Sequence, residues 1–491
     1  LSGKSLHDPL ERWSDKSLLP GLFVFNFLLK IVLIKTNRAE YTDGILQITL
    51  FSQPNRLYPP LFTILVQILK PLFGDPELAG RLISVLAGSI LVIPVFLFTR
   101  RIFEKTTAFF AAVVYTVSPM ALRWSLHAMT DALFALLFFM AAAFWVRAAA
   151  GSRNSPSRNF MAVTVLAVLA TLTRYQGILL LPPILALLVF LTVQKRKIPW
   201  KETSVQILWA LPAFWVYYYG FRHPEQFVER AGISPAQTAI LILNVFESFL
   251  AYSPYFLTWP ICFFMIAGIF YPGGYGRERL VFLCLFLYLT ASLLLLQSAF
   301  SSFQSRYLLP LLPLAVVFAG RGMAALRLRW KSRPVLFNIL FSAAILYGIG
   351  FGLLSVFLQR QTFGDLKDAA LFLREIPPGV PVYSNETYKD LGPVKLRFWS
   401  QRQIQAFDPS KELPSGAVLC FSSAYGGAQA FEQYTPWFSK KYRATFLKSF
   451  QAEIVPLLPD VMQEPYTHQN PLAMTFRYSP QRFETHIYSI P

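Results

Sequence analysis

Apolar runs of membrane-spanning length, separated by short polar or basic loops, fill the chain as far as about residue 360. A helix needs about 20 predominantly apolar residues to cross the hydrocarbon core, fewer where neighbouring helices assist. By that criterion the spans fall at 18–34, 80–99, 107–124, 129–148, 159–175, 177–193, 204–219, 254–271, 279–298, 306–320 and 335–358. That makes about eleven transmembrane helices. Two shorter apolar stretches, 59–73 and 237–252, contain or abut prolines and polar residues. They are expected to lie at the membrane interface or dip into it.

From about residue 362 the pattern changes. Leu366, Ala369, Ala370 and Leu373 recur at helical spacing, and Pro377-Pro378-Gly379 ends the run. Residues 380–383, 417–421 and 444–447 read as short strands between turn-rich segments. The expected architecture is a polytopic α-helical membrane protein. Its transmembrane module covers 1–360, with a first outer loop at 35–79, and is followed by an α/β domain over 361–491.

Composition agrees with this class. Hydrophobic residues make up 54% and charged residues 14% of the 491, against about a quarter charged in soluble domains. The net charge of +19 would point to nucleic acid in a soluble protein, but here it follows the positive-inside rule. If Lys4, Arg12 and Lys16 are cytoplasmic, so are Arg100, Arg101 and Lys105, then Arg147, Arg153 and Arg158. The same side receives Lys195 to Lys201, Arg277 and Arg279, and finally Arg321 to Arg333. The opposite loops are poorer in positive charge, except the first, with Lys35, Arg38, Arg56 and Lys70. The C-terminal domain is then extracytoplasmic, and no nucleic-acid partner is expected.

Cys262, Cys284 and Cys420 are dispersed and indicate neither disulfides nor zinc. Five scattered histidines offer no metal pattern. Neither a metal nor a cofactor is therefore expected, and a divalent ion has no ligand set to support it. Ser2-Gly3-Lys4-Ser5 lacks the upstream glycine of a phosphate-binding loop. A soluble nucleotide-sugar has no visible docking motif.

The candidate chemistry gathers, on this topology, at the outer face. Glu40 and Asp43 lie in the first outer loop, where a carboxylate suits general-base work. Thr42 or Asp43 would equally suit a helix N-terminal cap. Asp131 opens a span; it either faces a cavity or caps its helix. His127, one turn earlier, is a plausible neighbour or a structural residue. Arg174 and Arg306 sit at the outer ends of spans, where positive charge is not expected. An arginine fork fits phosphate oxygens, although snorkelling to lipid headgroups is the plainer explanation. Arg81 has a similar placement and reads as structural.

Thr42-Asp43-Gly44, Leu57-Tyr58-Pro59-Pro60-Leu61, Phe73-Gly74, Gly80-Arg81-Leu82 and Ala128-Met129-Thr130-Asp131 resemble the N-terminal half of the GT-C glycosyltransferases. The similarity is to the bacterial branch related to protein O-mannosyltransferases and the lipid A aminoarabinose transferase. Thr173-Arg174-Tyr175 resembles that branch's basic motif, and Ser305-Arg306-Tyr307-Leu308-Leu309-Pro310 its later Arg-Tyr-Leu-Leu-Pro element. The resemblance covers about residues 18 to 360.

It implies a polyprenyl-phosphate-linked sugar donor and a lipid, glycan or protein acceptor. Transfer would take place on the extracytoplasmic face of the plasma (inner) membrane, with inversion. Asp43 would be the catalytic base, and Arg174 and Arg306 would bind the donor phosphate. Tyr58, Asp131 and Tyr307 would line or brace the cavity. Relatives often carry Asp-Glu where this chain has Asp43-Gly44; Glu40 either replaces the second acid or that acid is dispensable. Two other functions would share the spans and basic residues: a transporter or flippase of lipid-linked sugars, and a sensor with an extracytoplasmic ligand domain.

Overall fold

Backbone N–H and C=O groups find no water in hydrocarbon, so a chain patterned this way crosses a membrane only as helices. The computed structural model describes residues 14–51, 58–150, 156–195, 199–222, 243, 258–271, 276–298, 305–386, 391–425, 436–438, 440–454 and 481–491. Among these, six helical segments are long and apolar enough to span: Pro76–Ile102, Asp131–Ala149, Tyr175–Val193, Arg277–Leu296, Arg306–Arg329 and Pro334–Leu358. Shorter apolar helices are Ser17–Ile31, Leu61–Phe73, Lys105–Val117, Ser157–Thr173 and Trp259–Phe270. The chain is a multi-pass, mostly helical membrane protein with a C-terminal mixed-sheet domain. Contacts divide it into two compact units, Leu1–Ile34 with Arg56–Leu353, and Lys35–Asn55 with Leu354–Pro491.

In the first unit prolines break what hydropathy alone reads as continuous spans. The expected span 80–99 is observed as Pro76–Ile90 and Val92–Ile102; Pro94 has no N–H to offer Ile90. The 107–124 run splits into Lys105–Val117 and Pro119–Trp124, with Pro119 in the first helical turn of the second piece. The 204–219 run becomes Trp200–Ser204, a 3-10 turn at Val205–Trp209 and Ala210–Arg222. There Pro212 withholds a donor from Leu208. Leu61–Phe73 buries Phe62, Thr63 and Val66 and exposes Ile64, Ile68 and Leu72, an amphipathic helix. Of the 237–252 stretch only residue 243 is described.

Close to the 90/92 break, the Gly88 carbonyl accepts from three side chains. They are Lys30 Nζ at 2.8 Å, Tyr115 Oη at 2.8 Å and Asn26 Nδ2 at 3.3 Å. Lys30 is fully buried, with its ammonium 5.4 Å from the Tyr115 ring centroid. A buried ammonium is tolerable only when bonded, and here it ties Asp15–Ile31 to Pro76–Ile90.

Helices Trp259–Phe270 and Leu312–Arg329 cross at glycines. A Cβ on Gly268 would land on the Phe318 carbonyl oxygen, and one on Gly322 on that of Phe264. Small residues permit such backbone approach, and packing of this kind drives helix association in lipid.

The second unit contains a five-stranded sheet. Its strands are β1 Val382–Ser384, β2 Ile404–Ala406, β3 Val418–Ser422, β4 Thr445–Ile454 and β5 Gln481–Ser489, in the order β2-β1-β3-β5-β4. β1 pairs in parallel with β2 and β3, while β5 pairs antiparallel with β3 and β4. Every residue of β3 is buried, as a central strand covered on both faces requires. The helix Gly364–Glu375 turns the expected Leu366, Ala369, Ala370 and Leu373 inward. Arg402 bonds the carbonyls after its last turn, Leu373 O at 3.0 Å, Pro377 O at 2.7 Å and Val380 O at 3.1 Å. The early loop belongs to this unit. Arg38 N–H donates to Arg360 O at 2.9 Å, and Arg38 Nη2 meets both carboxylate oxygens of Asp368 at 2.8 Å.

Two expected outcomes follow from packing and burial. Gly322→Ala should separate its helix from Trp259–Phe270 and destabilise the protein by about 3 kcal/mol, the upper end for overpacking; thermal unfolding in detergent measures this. Asp365, buried and donated to by Thr485 Oγ1 at 2.7 Å, has its pKa pushed up to about 6 by desolvation. The folded state therefore holds the proton more tightly than the unfolded state. The stability this gives is complete below about pH 4 and is lost as pH rises through about 6. Asp365→Asn, which still accepts from Thr485, should remove that part of the decline when wild type and variant are melted at pH 4.5 and 7.5 (about 3 kcal/mol at most).

Candidate active site

In the transmembrane unit the chain brings four of the predicted residues together. Thr130 precedes the helix Asp131–Ala149, so Asp131 occupies its first turn, where the helix dipole favours a carboxylate. Arg174 caps the 3-10 turn Tyr175–Leu180 with extended backbone (φ −150°), ending the helix Pro156–Thr173. Its guanidinium reaches back. Nη1 donates to Asp131 Oδ1 at 2.6 Å and to Thr130 Oγ1 at 3.3 Å, and Nε donates to Gln176 Oε1 at 3.2 Å. Asp131 is 1% exposed. Its Oδ2 is buried and has no hydrogen-bond partner among the described residues.

Tyr307 links this pair to the second arginine. The Arg174 guanidinium carbon lies 4.8 Å from the Tyr307 ring centroid, and that of Arg306 lies 5.2 Å from it. Arg306 also stands 5.9 Å from the Trp124 ring and 3.7 Å from Met129 Sδ. The aromatic faces attract the cations and hold two guanidiniums close where bare repulsion would part them. This group contains two arginines and one carboxylate. Arg174 uses Nη1 and Nε, so its Nη2 has no protein hydrogen-bond partner among the described residues. A donor left over beside a cationic stack is suited to an anion.

The other predicted residues have simpler surroundings. Tyr58 accepts through its backbone carbonyl from Trp215 Nε1 at 2.8 Å. Arg81 pairs with Glu77 at 2.6 Å along its own helix and donates to Ile34 O at 3.1 Å, a structural brace. His127 is buried, its ring 5.6 Å from Trp124. Glu40 and Asp43 belong to the second unit. Asp43 lies in the first turn of Thr42–Ile48, whose N-cap is Tyr41 and carries no side-chain cap bond. Neither Thr42 nor Asp43 is thus the capping residue. Asp43 is half-buried, whereas Glu40 is fully buried. Among the described residues no three His, Cys, Asp or Glu side chains gather as metal ligands would.

Sequence reasoning missed Trp124, Met129 and Gln176. Gln176 had a faint signal, a polar side chain two residues from Arg174 in an otherwise apolar run. The other two read as ordinary apolar positions.

Residues 58–219 match the family described as dolichyl-phosphate-mannose-protein mannosyltransferase. Over the whole chain the fold matches ArnT from Cupriavidus metallidurans. In its apo state the TM-score is 0.58 at 14% identity, covering 96% of this chain and 98% of that one. Bound to undecaprenyl phosphate, ArnT gives 0.59 at 15% identity with the same coverage. No curated protein matches by sequence. The fold and the matched segment define a GT-C glycosyltransferase. Within that class the chain is a member of the protein mannosyltransferase family, with an ArnT-like architecture.

The Asp131–Arg174 pair is largely dry, so breaking it should be costly. Asp131→Ala leaves the guanidinium without its carboxylate and should destabilise the protein by about 3 kcal/mol. Asp131→Ala/Arg174→Met should recover more than half of that loss. A double-mutant cycle on thermal unfolding measures the coupling.

Proposed function

We propose that this enzyme moves a sugar from a polyprenyl-phosphate donor to a hydroxyl acceptor, with inversion, on the extracytoplasmic face of the inner membrane. The observation that carries the reading is the Arg174–Tyr307–Arg306 stack with the Arg174 Nη2 left over. Two arginines outweigh the one carboxylate of the group, and a planar fork suits phosphate oxygens. The matched family is named for a dolichyl-phosphate-mannose donor, and a solved ArnT holds undecaprenyl phosphate.

In this mechanism Asp131 holds Arg174 by Nη1, so that Nη2 can meet a phosphate oxygen. Asp43 accepts the proton of the acceptor hydroxyl as that oxygen attacks the anomeric carbon. The bond from that carbon to the phosphate oxygen breaks, and polyprenyl phosphate departs with the electron pair. Both arginines bind the negative charge that grows on the phosphate, the electrostatic contribution that is usually largest. Asp43 fits the base better than Glu40 because it is partly open to solvent. Glu40 serves as its support, and Tyr58 lines the donor cavity. The acceptor is a lipid, glycan or protein hydroxyl.

The test is transfer from a panel of radiolabelled polyprenyl-phosphate sugars by protein in nanodiscs supplied with membrane extract. Asp43→Asn should lower the turnover number about 10²- to 10⁴-fold, as loss of a general base does, and leave donor binding unchanged. Full activity in Asp43→Asn would remove that residue from the mechanism. Failure of folded wild type to consume any donor would overturn the donor class.

A further inference from the structure

We propose that Lys395, in the C-terminal domain, is a positioning residue for Asp43; the inference rests on the reading of Asp43 as the base. The first loop's short helix, Thr42–Ile48, packs against the helix Val394–Ser400 within the second unit. The cap residue of the first, Tyr41, sets its ring edge-on to Phe363, with centroids 6.0 Å apart. Over the other ring of that pair sits a cation. Lys395 Nζ lies 4.0 Å from the Phe363 centroid and donates to Tyr425 Oη at 2.5 Å. Lys395 is fully buried.

Each link in this series has a reason to be fixed. Phe363 adopts φ of 58°, a left-handed conformation that a bulky side chain keeps only where its surroundings hold it. The helix bearing Lys395 is anchored by a buried carboxylate. Glu386 accepts from the N–H of Lys395 at 2.7 Å and of Leu396 at 2.9 Å. The start of the loop is fastened separately, by Arg38 to Asp368. A desolvated ammonium over a ring face and an edge-to-face aromatic pair both prefer one orientation. Lys395 therefore sets the Phe363 ring, the ring sets Tyr41, and Tyr41 starts the turn that carries the Asp43 carboxylate. A base displaced by about 1 Å loses on the order of 10²-fold in rate. That sensitivity is what makes a remote lysine matter to turnover.

The experiment uses the full chain in nanodiscs and compares Lys395→Met, Lys395→Arg, Phe363→Leu and Asp43→Asn. Transfer kinetics are measured together with hydrogen exchange over residues 41–50. Lys395→Met should lower the turnover number about 10- to 100-fold with donor KM within about twofold, and should speed exchange at 41–50. Lys395→Arg keeps a cation over the ring and should restore most of the turnover. Phe363→Leu should reproduce the loss and add nothing to Lys395→Met. Unchanged turnover in folded Lys395→Met would overturn the proposal, as would a matched rise in KM or failure of arginine to rescue. If Lys395→Met does not fold, Phe363→Leu with the arginine variant decides on the same criteria. An active Asp43→Asn would sink the base reading instead. Faster exchange at 41–50 in Lys395→Met would then still support a positioning role, and unaltered exchange would overturn it.

Discussion

The contact on which the transmembrane site depends is the ion pair between Arg174 and Asp131, 2.6 Å long and almost out of solvent. Neither charge could stand in that place alone. The carboxylate draws on a helix N-terminus and on the guanidinium, and the guanidinium is fixed at a helix break. Once Arg174 is set, the Tyr307 ring has a cation on one side and can hold Arg306 at 5.2 Å. A chain made mainly of apolar helices thus concentrates positive charge at one point without distributing it along the lipid-facing surface.

The breaks that host this chemistry have a common origin. Hydrocarbon forbids unbonded backbone, so each interruption needs side chains or altered turns to take over its carbonyls and amides. Near Leu91 the task falls to Lys30, Asn26 and Tyr115 around Gly88. At Arg174 a 3-10 turn takes over. At Gly268 and Gly322 the opposite device appears, uninterrupted helices so close that no Cβ fits between them.

Hydropathy made the spans legible, and motif order made the class legible. Arg174, Arg306, Tyr307 and Asp131, drawn from distant parts of the sequence, do share one cluster. What the pattern did not carry is how prolines divide a span, because Pro94 and Pro212 change hydrogen bonding and leave mean hydropathy high. The domain was half legible. Helix 364–375 has clear periodicity, whereas β2 has three residues and the helix Val394–Ser400 contains Lys395 and Arg397 among its apolar residues. β5 was missed because its meaning lies in pairing with β3 and β4, contacts that local alternation does not announce.

The tether from Arg38 to Asp368 joins residues 330 apart in sequence. A ribosome adding about 5–20 residues per second makes the first loop roughly 15–65 s before its platform exists. Throughout that interval the first helices can insert and pack, yet the segment carrying Glu40 and Asp43 has nothing to rest on. The soluble domain is then less an appendage than the closing step of biogenesis. A chain interrupted after its last membrane helix would be inserted, helical and inert. Premature stops near the C-terminus should consequently be as damaging as lesions at Arg174 itself, though they leave every membrane span intact.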